Sequence, residues 1–197
     1  MDMIRNIVLD MGNVLLDFNP NVIIDKVCDT DEEKQIIYKE LFCGEEWIMG
    51  DYGRITNAER FDGIKERVPE AMHAKLKECV DNWDICMKPV DGAQDFCKLV
   101  KNKGYKVYVL SNACNKFYEY FPKEYELDFF DGIVVSSDVH IIKPEKGIYE
   151  YLLKKYDLVP EECLFIDDRV DNVEGAREAG MQAVVFKNNY DEIANMI

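Results

Sequence analysis

The spacing of five short apolar, β-rich runs constrains this chain most: Ile7–Leu9, Val107–Leu110, Ile133–Val135, Leu164–Ile166 and Ala183–Phe186. Each is too short for a typical helix and has the composition of a buried strand. Helical patterns lie between the later runs. Ala93, Phe96, Leu99 and Val100 share one face before Gly104 ends the helix, Ile148, Leu152 and Tyr156 recur four apart after Pro144, and a third pattern runs from Asn172 towards Gly180. Strand and helix alternating from residue 88 onward predict an α/β fold, a doubly wound open parallel sheet with helices on both faces.

The stretch from about Phe18 to Met87 breaks this rhythm. It holds no strand signal, and about 70 residues is far longer than the usual connection within such a sheet. It reads as a separate helical lobe, with Thr30-Asp31-Glu32-Glu33 and Thr56-Asn57-Ala58-Glu59 as capping boxes at two helix starts. Ile36, Ile37, Leu41 and Phe42, then Phe61, Ile64 and Val68, give these helices stripes to bury. The predicted division is a core from residues 1–17 and 88–197 with an inserted lobe of residues 18–87. A chain of 197 residues has room for one such core and its insert, not for two large domains.

Composition narrows the partners. With 39 acidic against 24 basic side chains, the net charge of -15 repels nucleic acid and anionic membrane surfaces, so an anionic ligand must be captured by local positive groups. The seven cysteines form no C-x-x-C pair and suggest neither a disulfide framework nor a zinc site; reduced thiols in a cytoplasmic protein fit them. The N-terminus MDMIRNIVLD lacks the pattern of a leader, and no run approaches the ~18 apolar residues of a membrane span. The expectation is an unprocessed cytoplasmic protein, monomer or homodimer, acting on a small molecule.

The residues that follow the strands carry the chemistry. Asp10 ends the first run, Ser111-Asn112 the second and Asp167-Asp168 the fourth, while Lys143 follows the third by several residues. In a parallel sheet these side chains emerge along one edge, at the carboxyl ends where open α/β sheets bind ligands. Any one of them alone need only begin a loop. Three carboxylates, a lysine and a hydroxyl at one edge, however, leave unpaired charges close together unless something binds there. A hard divalent cation with oxygen ligands resolves the repulsion, and magnesium takes such a shell of carboxylate, carbonyl, water and phosphate oxygens.

These segments, IVLDMGNVLLD, VYVLSN, Lys143-Pro144 and FIDDRVDNVEGAREAGM, occur in order and resemble the four motifs of the haloacid dehalogenase superfamily. The resemblance covers essentially the whole chain, and its wording is similar to the bacterial glucose-1-phosphatase-like branch. It implies a magnesium-dependent phosphatase for a sugar phosphate or similar metabolite, with residues 18–87 as a helical cap. It further implies that Asp10 is the nucleophile that becomes an aspartyl phosphate, that Ser111 binds a phosphoryl oxygen with Asn112 beside it, and that Lys143 neutralises charge. Asp10, the carbonyl of Gly12 and Asp168 would hold Mg2+, with Asp167 and Asn172 orienting their neighbours.

Position 12 departs from the superfamily. Most of its phosphatases carry there a second Asp that protonates the leaving group and then activates water; here it is Gly12, whose carbonyl can still meet a metal. General acid-base catalysis contributes ~10²–10⁴-fold, so the departure points to better leaving groups such as anomeric sugar phosphates, acyl phosphates or phosphoramidates. Alternatively a cap residue or Asp17 supplies the proton, or Gly12 simply permits a turn that a side chain would hinder. Trp47, Met49 and Arg54 are candidates for facing the pocket, although packing suits the first two and solvation the third. His73 reads as exposed. The competing functions are a metal-free carbon-halogen hydrolase, a phosphorylation switch and a degenerate binding protein. The paired acidic residues at 167 and 168 speak against the first. The nucleophile on the first strand and the long insert speak against the second.

Overall fold

The structure is a computed structural model that describes residues 4–197, so the first three residues of the predicted core segment lie outside it. In chain order the strands are β1 (Asn6–Leu9), β2 (Leu16–Phe18), β3 (Met87–Pro89), β4 (Lys106–Ser111), β5 (Gly132–Val135), β6 (Cys163–Asp167) and β7 (Gln182–Val185). Five of them make one sheet in the order β5-β4-β1-β6-β7, and every neighbouring pair in it is parallel. Alternate residues enter opposite layers. Ile7 and Leu9 join Val107, Val109, Leu164 and Ile166 on one face, while Val8 joins Tyr108, Leu110 and Phe165 on the other. Both faces are therefore apolar, as in any parallel sheet covered on its two sides.

Registry fixes where the strands end. Leu9 lies opposite Val109 on one side and Ile166 on the other. Asp10, the next residue, is thus placed between the carboxyl ends of β4 and β6. The chain leaves β1 outward through β4 and β5, then crosses to β6 and β7, so the ends of β1 and β6 flank the point where strand order reverses, which is where such sheets take their ligands.

The helices of the insert are α1 (Asn21–Val27), α2 (Asp31–Ile37), α3 (Glu45–Asp51), α4 (Asn57–Lys65) and α5 (His73–Asn82), with a π-helical turn at Tyr38–Phe42. They gather a hydrophobic cluster of their own around Ile23, Ile37, Leu41, Ile64, Leu76 and Val80. A two-stranded ribbon escaped the sequence pattern: β2 runs antiparallel to β3, with Asp17 opposite Lys88 and Phe18 opposite Met87. It ties together the two ends of the insert, and three residues per strand are too few to show a period.

The core helices are α6 (Ala93–Asn102), α7 (Phe117–Tyr120), α8 (Ser136–Val139), α9 (Lys146–Lys155), α10 (Val170–Glu178) and α11 (Tyr190–Ala194). Three local expectations change. On α6 the buried stripe is Ala93, Phe96, Cys97 and Val100, and Leu99 lies outside it, 41% exposed. The Thr56 box is complete, whereas at Thr30 only the hydroxyl caps, because Glu33 reaches the Asp29 amide and Lys75 instead. His73 is half-buried, its Nε2 2.9 Å from the Lys65 carbonyl and 3.1 Å from that of Val68, where it meets the unsatisfied end of α4.

Candidate active site

Asp10 is buried, and its Oδ1 accepts hydrogen bonds from the Met11 amide at 2.6 Å and from Lys143 Nζ at 2.7 Å. The same ammonium donates to Oδ2 of Asp167 at 2.7 Å. Lys143 is itself held from β4: its amide donates to Asn112 Oδ1 at 2.8 Å and its carbonyl accepts from Asn112 Nδ2 at 2.9 Å. Asp167 is saturated. Besides Lys143 it accepts from Asn172 Nδ2 at 3.0 Å on each oxygen and from the Arg169 amide at 2.8 Å.

One lysine thus stands among several carboxylates away from water. Burial pushes the Asp10 carboxyl above its ordinary range; Lys143 pulls it back, while Asp167 and Asp168 push it further up. For Lys143 burial disfavours the ammonium, but Asp10 and Asp167 outweigh it and hold its pKa above the ordinary value. Asp10, Asp167 and Asp168 each offer a carboxylate oxygen within 4.8 Å of the others. Hard oxygen donors with an excess of negative charge fit a magnesium ion.

Asp168 is half-buried and lines a cavity of about 410 Å³ together with Asp10, Gly12, Asn13 and Asn112. Its Oδ2 accepts from Asn13 Nδ2 at 2.9 Å. Asn13, at φ 55°, is a residue the sequence reading missed; its signal was an Asn after Gly in a tight turn, where the left-handed region is tolerated. Ser111 ends β4 fully buried, and its Oγ has no protein partner.

The insert roofs the cavity. Trp47 lines it with Phe18, Phe42 and Trp83, stacked on Phe18 at 5.4 Å and edge-on to Trp83 at 5.1 Å. The Trp83 Nε1 is buried without a hydrogen-bond partner. Met49 is half-buried and Arg54 exposed, and neither lines the cavity; Arg54 lies over the Tyr52 ring at 4.1 Å. Asp17 is exposed on β2 and does not line this cavity; it borders an adjacent depression that shares Asn13 and Asp168 with it. Asp51, at the end of α3, does line the cavity. Neither it nor the buried Arg60 of α4 was singled out from the sequence as bearing chemistry.

Gly12 is not required by its backbone. Its φ is not positive, and a Cβ built there meets nothing within 4 Å. The expectation that a side chain would hinder the turn is therefore wrong.

A buried carboxylate at the end of β1, a lysine and an acidic pair beside it, and a helical insert above make the arrangement of a hydrolase of the haloacid dehalogenase type. Residues 4–180 match the family model for haloacid dehalogenase-like hydrolases, and the chain belongs to that family. It is 27% identical to the sesquiterpene phosphatase astK of Aspergillus oryzae over 88% of this chain and 85% of that protein. It is 24% identical to the D-ribitol-5-phosphate phosphatase of Bacteroides thetaiotaomicron over 96% and 95%. Among solved structures, the enzyme BT-2542 from B. thetaiotaomicron, in complex with magnesium and inorganic phosphate, superposes with a TM-score of 0.73 at 25% identity, covering 93% and 94%. Within the family the chain is a hydrolase of the phosphatase kind.

Proposed function

We propose that this protein is a magnesium-dependent phosphatase that hydrolyses a small phosphorylated metabolite through an aspartyl phosphate on Asp10. The observation that carries the reading is one buried lysine shared by Asp10 and Asp167 at the floor of a roofed cavity. Oδ1 of Asp10 is held by Met11 and Lys143, which leaves Oδ2 to attack phosphorus and divides hydrolysis into two displacements. Lys143 offsets the charge that Asp10 and the phosphoryl group bring together. The unpartnered Ser111 hydroxyl donates to a phosphoryl oxygen. Asn112 lies beside it and aims Lys143 through two backbone contacts.

Asp10, Asp168 and the Gly12 carbonyl would hold Mg2+. Asp168 suits that place because Asp167 has spent its acceptors on Lys143, Asn172 and Arg169. When bound, the ion supplies positive charge to the phosphoryl oxygens. Residues 18–87 act as a cap that excludes water. Its aromatic wall suits the face of a sugar ring, and Trp83 Nε1 offers that ring a donor; sugar phosphates, sugar 1-phosphates and acyl phosphates are the substrate class. The acidic charge and seven unpaired thiols support a cytoplasmic monomer or homodimer.

The test is a panel of phosphate esters, acyl phosphates and sugar 1-phosphates assayed with and without magnesium, alongside Asp10→Asn. Magnesium-dependent phosphate release, lost in Asp10→Asn with an unchanged circular dichroism spectrum, is the expected outcome. Chloride release from 2-haloacids without metal would favour the dehalogenase instead. Absence of turnover across the panel would favour a binding protein.

A further inference from the structure

Hydrolysis through Asp10 needs a proton for the departing oxygen and then a base for the attacking water, and Gly12 supplies neither. We propose that Asp51, reaching the cavity from the end of α3, is the general acid and base of this enzyme in place of the absent side chain at position 12. This rests on the phosphatase reading above.

Asp51 lines the same cavity as Asp10, Gly12 and Asn112. No hydrogen bond or ion pair to its carboxylate occurs among the described residues, so the group is free for substrate. Its backbone, by contrast, is pinned to the core. Ser136 Oγ, at the start of α8, donates to the Asp51 carbonyl at 2.6 Å. His140 Nδ1 donates to the Tyr52 carbonyl at 2.8 Å, and the Tyr52 hydroxyl donates to Glu145. Gly53, at φ 65°, packs its Cα against the backbone of Ser137. A carboxylate on a seated helix end is held in one place relative to the sheet edge, as proton transfer requires.

The groups around it favour a proton carrier. Arg60 approaches from α4 and Lys143 from the core, with Cys114 and the buried Tyr120 on the segment after β4. Burial pushes the Asp51 carboxyl up to about 7, with Arg60 and then Lys143 holding it back. A carboxyl poised near neutral pH can both give and take a proton. The Tyr120 hydroxyl is committed to Met11 Sδ at 3.4 Å and held well above its ordinary value by burial. In the first step Asp10 bonds to phosphorus as the P–O bond to the leaving group breaks, and Asp51 gives its proton to that oxygen. In the second, Asp51 takes a proton from water as the water oxygen bonds to phosphorus. The P–O bond to Asp10 then breaks with its electron pair returning to the carboxylate, and Asp51 ends protonated.

The test is Asp51→Asn, isosteric and neutral, on two substrates. An alkyl phosphate should lose at least about 10²-fold in turnover, because its alkoxide cannot leave unassisted. With p-nitrophenyl phosphate the nitrophenolate leaves without a proton, so one equivalent should appear as a burst before slow turnover while the phosphoenzyme waits for a base. Adding Gly12→Asp to Asp51→Asn should restore alkyl phosphate turnover. Wild-type rates, or equal losses on both substrates with no burst, would overturn the role of Asp51 alone. A second measurement needs no variant: wild-type kcat/KM across a series of aryl and alkyl phosphates should depend only weakly on leaving-group pKa, and a steep dependence would overturn the proposal. Absence of any phosphate turnover by the wild type rejects the phosphatase reading instead.

Discussion

The Lys143 ammonium lies 2.7 Å from Oδ1 of Asp10, with the lysine side chain 1% exposed and the aspartate side chain 10%. An ion pair at that depth is held by geometry, since desolvation of both charges offsets much of their attraction. Its partner set is lopsided, because Lys143 also serves Asp167. Removing the lysine therefore strands two buried carboxylates at once. Lys143→Ala should lower kcat by about 10²–10³-fold, as loss of a preorganised electrostatic group does, and cost about 3 kcal/mol in denaturant melts.

The two adjacent acidic residues should separate in a magnesium titration. Asp168 is half-buried at the cavity, so Asp168→Ala should raise the magnesium concentration for half-maximal activity sharply. Asn13→Ala, which removes the hydrogen bond to Asp168 together with the one that Oδ1 accepts from the Phe18 amide, should shift it by about 10–100-fold. Asp167→Ala should act mainly on kcat through Lys143.

Gly12→Ala should be stabilising. Gly12 has no positive φ and open space at its Cβ position, so the substitution restricts the unfolded chain without straining the fold, by about 0.4–1 kcal/mol. A loss of stability in thermal melts would show that the turn needs glycine after all.

Gly53→Ala should do the reverse. Its Cβ would lie 2.4 Å from the Ser137 carbonyl oxygen at a φ of 65°, which forces α3 off α8. The expected result is a loss of about 2 kcal/mol, a lower kcat/KM, and faster proteolysis of the insert.

Asp51 sets a pH dependence of stability. Its folded-state pKa of about 7 lies above the ordinary 3.8, so between those values the folded protein keeps a proton that the unfolded chain has released. The stabilisation is complete below the ordinary value and is lost as pH rises through 7, by at most about 4 kcal/mol. Denaturant melts in chelator from pH 4.5 to 8 should show the decline, and Asp51→Asn should make it shallower, the remainder coming from Asp10, whose carboxyl burial also raises.

The sequence by itself determined the sheet, its five runs, the helical insert, and the set of Asp10, Ser111, Asn112, Lys143, Asp167 and Asp168 along one edge. These are local consequences of apolar runs that stop at polar residues, and parallel registry then levels the strand ends. Only the tertiary structure decided which acidic residue takes the lysine and which borders the cavity, since that choice depends on Asn13 and Asn172 meeting β6. Only it brought Asp51 to a site built from strands on either side of the insert. That placement hangs on a contact to Ser136, 85 residues away, and on Gly53 admitting the core backbone, and no local period encodes such a meeting.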